Sequence, residues 1–313
     1  MKRICFALIF CFFSINSYAF WIWSPKTNEW KNPGYSPAAT PTLQYEAALK
    51  KFKANQYKKS YGEFRKILAH YPEAKEAAES QYYLGRCLEE LKKPYAAFSQ
   101  YKKVIDSYPN SKRINEIVQR INDIGDFYLN RKRKKMLGVS VYDFVEHPAI
   151  EIFSYLIDKM PYSEYAPDAQ YRLGMLFFQM NRYDEAGEAF QKIIDNYPNS
   201  EWFAPSKYQL AQATAKGSYG EDYDSTSIND ATARLDEFIS SHPDAQIAPQ
   251  AAEQLKELRN QEAKKNFDVG RFYEIQKKYE AAKMYYEIVA NSYSDSEYVQ
   301  RAQKGIKRVN ARQ

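Results

Sequence analysis

The sequence predicts an all-α protein built from about six stacked helix-turn-helix repeats, and three observations support that prediction. The stretch 171–198 carries two apolar faces at helical spacing, separated by a short turn at Asn181 and Arg182. Within that stretch, small, bulky and chain-breaking residues stand at fixed intervals, and the same intervals recur along the chain. In this stretch they are Gly174, Ala186, Phe190 and Pro198.

The recurring pattern is a small residue, a second small residue, a bulky residue and a proline. The same pattern is found without change at Gly85, Ala97, Tyr101 and Pro109. It is found with serine at the second small position at Ala48, Ser60, Phe64 and Pro72, and with serine in place of proline at Gly270, Ala282, Tyr286 and Ser294. Two further repeats keep the second-helix half: Ala149, Phe153, Pro161 and Ala231, Leu235, Pro243. This pattern resembles the tetratricopeptide repeat, a helix-turn-helix unit of about 34 residues. The resemblance implies a superhelix, or solenoid, whose concave face is lined by the first helices.

The N-terminus has the pattern of an export signal. Lys2 and Arg3 precede a short apolar run, and small residues precede Ala19, so residues 1–19 are predicted to be a cleaved signal peptide. Neither Cys5 nor Cys11 follows the small residues that lipidation requires, so a lipid anchor is not expected. The mature protein is therefore expected in the periplasm.

Residues 20–42 differ from the rest in composition. They hold Trp21, Trp23 and Trp30 together with four prolines, which favour an extended backbone. The tryptophans either pack onto the first repeats or contact a partner or the membrane interface.

The repeats themselves are predicted at about residues 43–72, 74–109, 112–161, 163–198, 201–243 and 249–294, and a charged helix at 296–312 caps the last one. The third repeat opens with a helix expected to run from Arg113 to about Met136. That helix ends in a basic run that begins with Arg131, Lys132 and Arg133. Cations are favourable at a helix C-terminus, so the run is either a solvated helix end or a docking patch for an acidic partner or lipid headgroups.

Composition and motifs exclude several functions. The formal net charge of +6 is a mild excess that argues against nucleic-acid binding. After signal cleavage only Cys87 remains, so no intrachain disulfide is expected. Asp222 and Asp224 do not complete a calcium loop, because Ser227 stands at the required glycine position. No catalytic motif is present, so we expect no enzyme activity, cofactor or metal.

The tetratricopeptide resemblance also implies which residues face the groove. Three residues before the glycine position stand Tyr45, Tyr82, Asn122, Tyr171, Tyr208 and Phe267. One residue after it stand Arg86, Met175 and Arg271, and four residues after it stand Phe52 and Phe178. Aromatic residues and arginine are common energetic anchors of interfaces. These aromatics either bind a partner or only stack between adjacent repeats.

Within the repeat class, the sequence resembles the BamD family of outer-membrane assembly factors. The similar features are the repeat ends at 71–74, 108–111 and 197–200 and the stretch 166–174. The resemblance implies a periplasmic scaffold at the inner face of the outer membrane. It would bind unfolded β-barrel precursors through its N-terminal repeats and the barrel-assembly channel protein through its C-terminal repeats. The alternative is a periplasmic adaptor of the constriction and peptidoglycan machinery.

Overall fold

A computed structural model describes residues 22–24, 29–31, 36–131, 135–136, 139–140, 146–217 and 225–312. The predicted signal peptide lies outside these residues. The chain divides into two compact units, Met1–Ile117 and Val118–Gln313, each of which is described by itself.

The first unit contains a short hairpin and two helix pairs. Strands β1 (Ile22–Ser24) and β2 (Glu29–Lys31) are antiparallel, with Trp23 opposite Trp30. The helices are α1 (Pro41–Lys53), α2 (Tyr57–His70), α3 (Ala77–Glu90) and α4 (Pro94–Ser107). Helix α5 (Ile114–Leu129) begins in this unit and ends in the second.

The second unit continues with helix pairs after a second hairpin, β3 (Lys135–Met136) and β4 (Val139–Ser140). Its helices are α6 (Pro148–Lys159), α7 (Ala166–Gln179), α8 (Tyr183–Asn196), α9 (Phe203–Gly217), α10 (Ser225–Ser241), α11 (Ala248–Ile275), α12 (Tyr279–Ser292) and α13 (Val299–Asn310). The predicted all-α class of tandem helix pairs is confirmed.

The predicted end of the third repeat's first helix is wrong. Helix α5 ends at Leu129 rather than near Met136, and Lys135–Met136 form a strand instead. At the end of α5, both the backbone N–H and the side-chain Nδ2 of Asn130 donate to the carbonyl of Asp126, at 2.9 and 3.0 Å. An asparagine side chain that takes a backbone carbonyl in this way competes with continuation of the helix.

The spacing pattern corresponds to contacts between the two helices of a pair. A Cβ added to Gly174 would lie 2.7 Å from Cε1 of Phe190, and one added to Gly270 would lie 2.8 Å from Tyr286. Where serine replaces the second small residue, its hydroxyl is buried and bonded, because Ser60 Oγ donates to the Ala48 carbonyl at 2.9 Å. The small positions therefore let the helices approach closely enough for a ring to fill the crossing.

The turns inside four pairs share one strained backbone position. Asn55, Lys92, Asn181 and Lys277 have φ between 57° and 61°. Of these two residue types only asparagine adopts the left-handed region readily, so this conformation is energetically unfavourable at the two lysines.

Helix α11 serves two separate apolar cores. Its first half contributes Ala251, Leu255 and Leu258 to a core shared with α9 and α10. Its second half contributes Ala263 and Phe267 to a core shared with α12 and α13. A single helix thus links the core of the fifth pair to the core of the sixth.

Candidate protein-binding surfaces

The groove positions three before the glycine lie at junctions between neighbouring repeats. Tyr45 is half-buried, with its ring centroid 5.7 Å from Phe64 in its own pair and 6.2 Å from Tyr83 in the next. Burial is the main cause that raises the pKa of the Tyr45 hydroxyl. The same position in the fourth repeat, Tyr171, lies 5.7 Å from Phe190 and stacks on Trp202 at 4.4 Å.

The remaining members of this position differ in exposure and in the contacts they make. Phe267 is 8% exposed and lies 5.5 Å from Tyr286 and 5.7 Å from Tyr298. Tyr208 is half-buried, 6.4 Å from Phe238. Asn122 is 6% exposed, and its Oδ1 has no hydrogen-bond partner among the described residues.

Tyr82 is held in a charged network within the first unit. Its ring is 1% exposed, and its hydroxyl donates to Glu116 while accepting from Arg86 Nη1 at 2.9 Å. The Arg113 guanidinium lies 4.9 Å above the ring and binds Glu116 at 3.0 Å and Glu79 at 3.1 Å. The hydrogen bond that Arg113 donates to Glu79 is the main cause that raises the pKa of Arg113. These contacts fasten α3 to the start of α5.

A half-exposed group of rings lies beside this network, and we call it the Tyr83 cluster: Phe52, Tyr57 and Tyr83. The Phe52 ring lies 5.4 Å from Tyr57 and 5.1 Å from Tyr83, and Arg86 lies 5.8 Å above Phe52. The back of Tyr83 stacks on Phe64 at 5.1 Å and 9°. The sequence prediction named Phe52 and Arg86 but missed Tyr83, whose signal was the doublet Tyr82-Tyr83.

In the second unit, the other named groove residues are partly accessible. Phe178 is half-buried with its ring 5.3 Å from Tyr183, and Met175 packs half-buried against the core of the fourth pair. Arg271 is exposed on α11.

The sequence prediction also missed three glutamine side chains that join the first helix of a pair to the second, and we call these hydrogen bonds the glutamine ties. The side-chain Nε2 of Gln44, Gln81 and Gln170 donates to a backbone carbonyl of the second helix at 3.1–3.2 Å. The acceptor is always 19 residues later. Each glutamine directly precedes a groove tyrosine, so the dipeptide Gln-Tyr was a readable signal. In the sixth pair, Asn266 stands there, and it bonds the Glu262 carbonyl in its own helix instead.

The residues predicted as a partner or membrane contact are only partly described. Trp23 is 42% exposed. Trp21, Lys132, Arg133 and the side chain of Trp30 lie outside the description, as do Asp222 and Asp224. Arg131 is exposed and lies 5.8 Å from the ring of Phe127, which is itself 48% exposed.

Three further observations concern the described residues. No described helix is both long and apolar enough to span a bilayer. Within the same residues, no group of three or more potential metal ligands comes together. The thiol of Cys87 is free and buried, and burial raises its pKa to about 11.

Comparison with known families identifies the repeats. A tetratricopeptide-repeat family model matches residues 79–111 and 168–200, which contain the pairs α3–α4 and α7–α8. A second model, described as an outer membrane lipoprotein family and corresponding to BamD, matches residues 214–312. The chain is therefore similar to tetratricopeptide-repeat proteins and, over residues 214–312, to the BamD family. The predicted repeat class and the predicted family resemblance are therefore confirmed.

Solved structures with similar repeats share little sequence with this chain. The C-terminal part of a repeat protein from Cytophaga hutchinsonii is 15% identical with a TM-score of 0.33, over 86% of this chain and 88% of that one. The protein MamA is 16% identical with a TM-score of 0.34, over 65% and 92%. The protein pilF of Pseudomonas aeruginosa is 16% identical with a TM-score of 0.30, over 84% and 96%. These TM-scores lie below 0.5, and nothing further rests on them. No curated protein matched the sequence.

The family assignment bears on activity and location. Proteins of the matched families are non-enzymatic scaffolds, which agrees with the expectation that this chain has no enzyme activity. The family is one of outer-membrane lipoproteins, which agrees with an outer-membrane association. The same description is at odds with the expectation that no lipid anchor is present.

Proposed function

We propose that this protein is a periplasmic scaffold of the outer-membrane β-barrel assembly machinery. It holds unfolded barrel precursors and the channel component by protein–protein contacts at the inner face of the outer membrane. The observation that supports this proposal most is the match of residues 214–312 to the BamD family model.

The precursor-binding surface of the proposal is the set of partly accessible groove residues. In the first unit this is the Tyr83 cluster, with Tyr45 and Arg86 beside it. In the second unit the half-buried residues of this set are Tyr171, Met175, Phe178 and Tyr208. Rings that already pack on one side need little reordering to accept an apolar precursor side chain on the other, which lowers the entropic cost of binding.

The groove is tested with a variant that keeps the fold. Tyr82 is unsuitable because its buried ring would leave a cavity. Phe52→Ala removes a half-exposed ring of the Tyr83 cluster and should weaken binding of an aromatic precursor peptide by about tenfold, as for a typical interface anchor. The matched control is Phe127→Ala, which removes a 48% exposed ring outside the groove and should leave the affinity unchanged.

The partner assignment is tested by affinity capture of the mature protein from native envelopes. Recovery of the barrel-assembly channel protein supports the proposal. Recovery only of constriction proteins or peptidoglycan would establish the adaptor function instead. The mass of the mature N-terminus in the same preparation decides whether a lipid is attached.

A further inference from the structure

The first repeat carries an unusual excess of positive charge. Residues 41–72 hold seven Lys or Arg against two Asp or Glu, whereas residues 163–198 hold three against six. The two stretches fold into equivalent helix pairs, so the difference does not come from the repeat architecture.

Three of these seven charges lie, together with two lysines of the second repeat, at one edge of the first unit, which is formed by the turns inside its two helix pairs. We call it the lysine edge: Lys53, Lys58, Lys59, Lys92 and Lys93. All five side chains are exposed, and none forms an ion pair with any residue that the structure describes. The two turns share an edge because successive helices alternate in direction and α2 packs on α3.

The lysines are placed against the preference of their own helices. Lys58 and Lys59 stand in the first turn of α2, and neither α2 nor α4 has an acidic residue in its first turn. The equivalent positions of α8 hold Asp184 and Glu185. The positive end of the helix dipole disfavours cations there, so the lysines cost stability that a bound anionic partner would offset.

The lysine edge is continuous with the Tyr83 cluster. Phe52 immediately precedes Lys53, and Tyr57 immediately precedes Lys58, while the two rings lie 5.4 Å apart. A segment that inserts aromatic side chains into the cluster therefore places its flanking residues within a Debye length, about 8 Å at physiological salt, of unpaired ammonium groups.

We propose that the Tyr83 cluster and the lysine edge together bind an extended polypeptide segment whose aromatic residues are flanked by carboxylates. This inference rests on the proposed function, since it specifies the chemistry of the segment bound there. Lysine suits such a partner because its ammonium is a flexible point charge that meets single carboxylates without a fixed geometry.

The fold favours a polypeptide over a bilayer at this edge. The residues that precede α1 are fixed at its other end, where the Ala38 N–H donates to Gln44 at 2.7 Å and the Tyr71 hydroxyl donates to the Ala38 carbonyl at 2.6 Å. The tryptophan-rich segment therefore joins the first repeat at the end of α1 remote from the lysine edge.

The test uses the mature protein and two fluorescent peptides of equal length. Both contain two aromatic residues; one carries three glutamates beside them and the other carries three glutamines. We expect the glutamate peptide to bind about tenfold more tightly at low salt, with the advantage lost at high salt.

Two triple variants distinguish an effect of the lysine edge from an effect of the net charge of the protein. Lys53→Gln with Lys58→Gln and Lys93→Gln should weaken the glutamate peptide about tenfold and leave the glutamine peptide unchanged. Lys75→Gln with Lys103→Gln and Lys112→Gln removes equal charge from exposed positions elsewhere in the first unit and should change neither peptide's affinity.

Three outcomes overturn the inference. They are equal affinity of the two peptides, equal losses in the two triple variants, and an edge variant that loses only binding to phosphatidylglycerol vesicles. If the glutamine peptide still binds and Phe52→Ala weakens it, the proposed function survives that failure. If neither peptide binds, both proposals fail.

Discussion

At the scale of single residues, the same substitution in two paired helices is expected to have opposite effects. Gly174→Ala would place a Cβ 2.7 Å from Phe190, which requires the ring or the helices to shift. We expect it to destabilise the protein by about 1–3 kcal/mol. Gly187→Ala in α8 meets only Leu210, at an ordinary 3.6 Å, and should stabilise by about 0.5–1 kcal/mol through helix propensity. Urea unfolding of both variants checks the pair, and equal effects would contradict the close crossing.

The turn residues allow a second test at this scale. Lys92 has a φ of 57°, so Lys92→Gly should stabilise the protein by about 0.5–1 kcal/mol by removing left-handed strain. Its neighbour Lys93 has a φ of −121°, so Lys93→Gly gains nothing from relief of strain and only adds unfolded-state entropy. The midpoint of denaturant unfolding checks both variants. If it rises in both, or in neither, the assignment of left-handed strain to Lys92 is wrong.

Residue spacing predicted the helix crossings because a ring and the glycine it covers must stand at fixed positions on two helices. The glutamine ties escaped prediction, since a single polar residue gives no periodic signal until its acceptor is known. The same limit applied to the groove. The resemblance placed Tyr45 and Tyr82 at the same repeat position, but only the contacts separate a half-buried ring from one fixed by Arg86 and Glu116.

At the scale of the element, the glutamine ties should each contribute to holding the two helices of a pair together. Gln170→Met keeps the length of the side chain but removes the donor to the Ala189 carbonyl. We expect a loss of about 0.5–1.5 kcal/mol. Gln179→Met in the same helix, at an exposed position, is the control and should be neutral within about 0.5 kcal/mol. A neutral Gln170→Met would mean that the tie adds nothing to stability.

The α1–α2 pair should also be sensitive to acid. Burial opposes ionisation of Glu63, but hydrogen bonds from Lys51, Lys66 and Gln44 outweigh it and lower the pKa from 4.5 to about 2. A carboxyl group whose pKa is lower in the folded than in the unfolded state stabilises the fold at pH values above its unfolded-state pKa. That stabilisation is lost as the pH falls from about 4.5 towards 2. Glu63→Gln should flatten the fall in stability across this window, whereas Glu46→Gln at an exposed site should not. Parallel acid-unfolding curves for all three proteins would refute the assignment.

At the scale of the whole molecule, repeats of this kind unfold cooperatively only through the contacts between neighbours. Within the second unit, the fifth and sixth pairs have separate cores that α11 joins. Lys264→Pro interrupts this helix at an exposed position next to Ala263, where the second core begins, at a cost of about 3 kcal/mol or more. We expect the thermal transition of the second unit to split in two, while Lys264→Ala should leave it single. Calorimetry distinguishes these results.

The sequence predicted a repeat at about residues 249–294, but not the double role of its first helix, α11. Apolar periodicity runs through Leu255, Leu258 and Phe267 without a break, so nothing in the pattern marks where one core ends and the next begins. At the end of α5, by contrast, the sequence pattern was misleading. Five consecutive basic residues are typical of a helix C-terminus, yet Asn130 ends the helix before them.

The 28 residues of α11 also have a mechanical meaning. A straight helix of that length is about 42 Å long and resists bending, because every bend stretches hydrogen bonds along one side. A force or torque applied to α12 and α13 is therefore transmitted to α9 and α10, whereas an ordinary inter-repeat loop would absorb it.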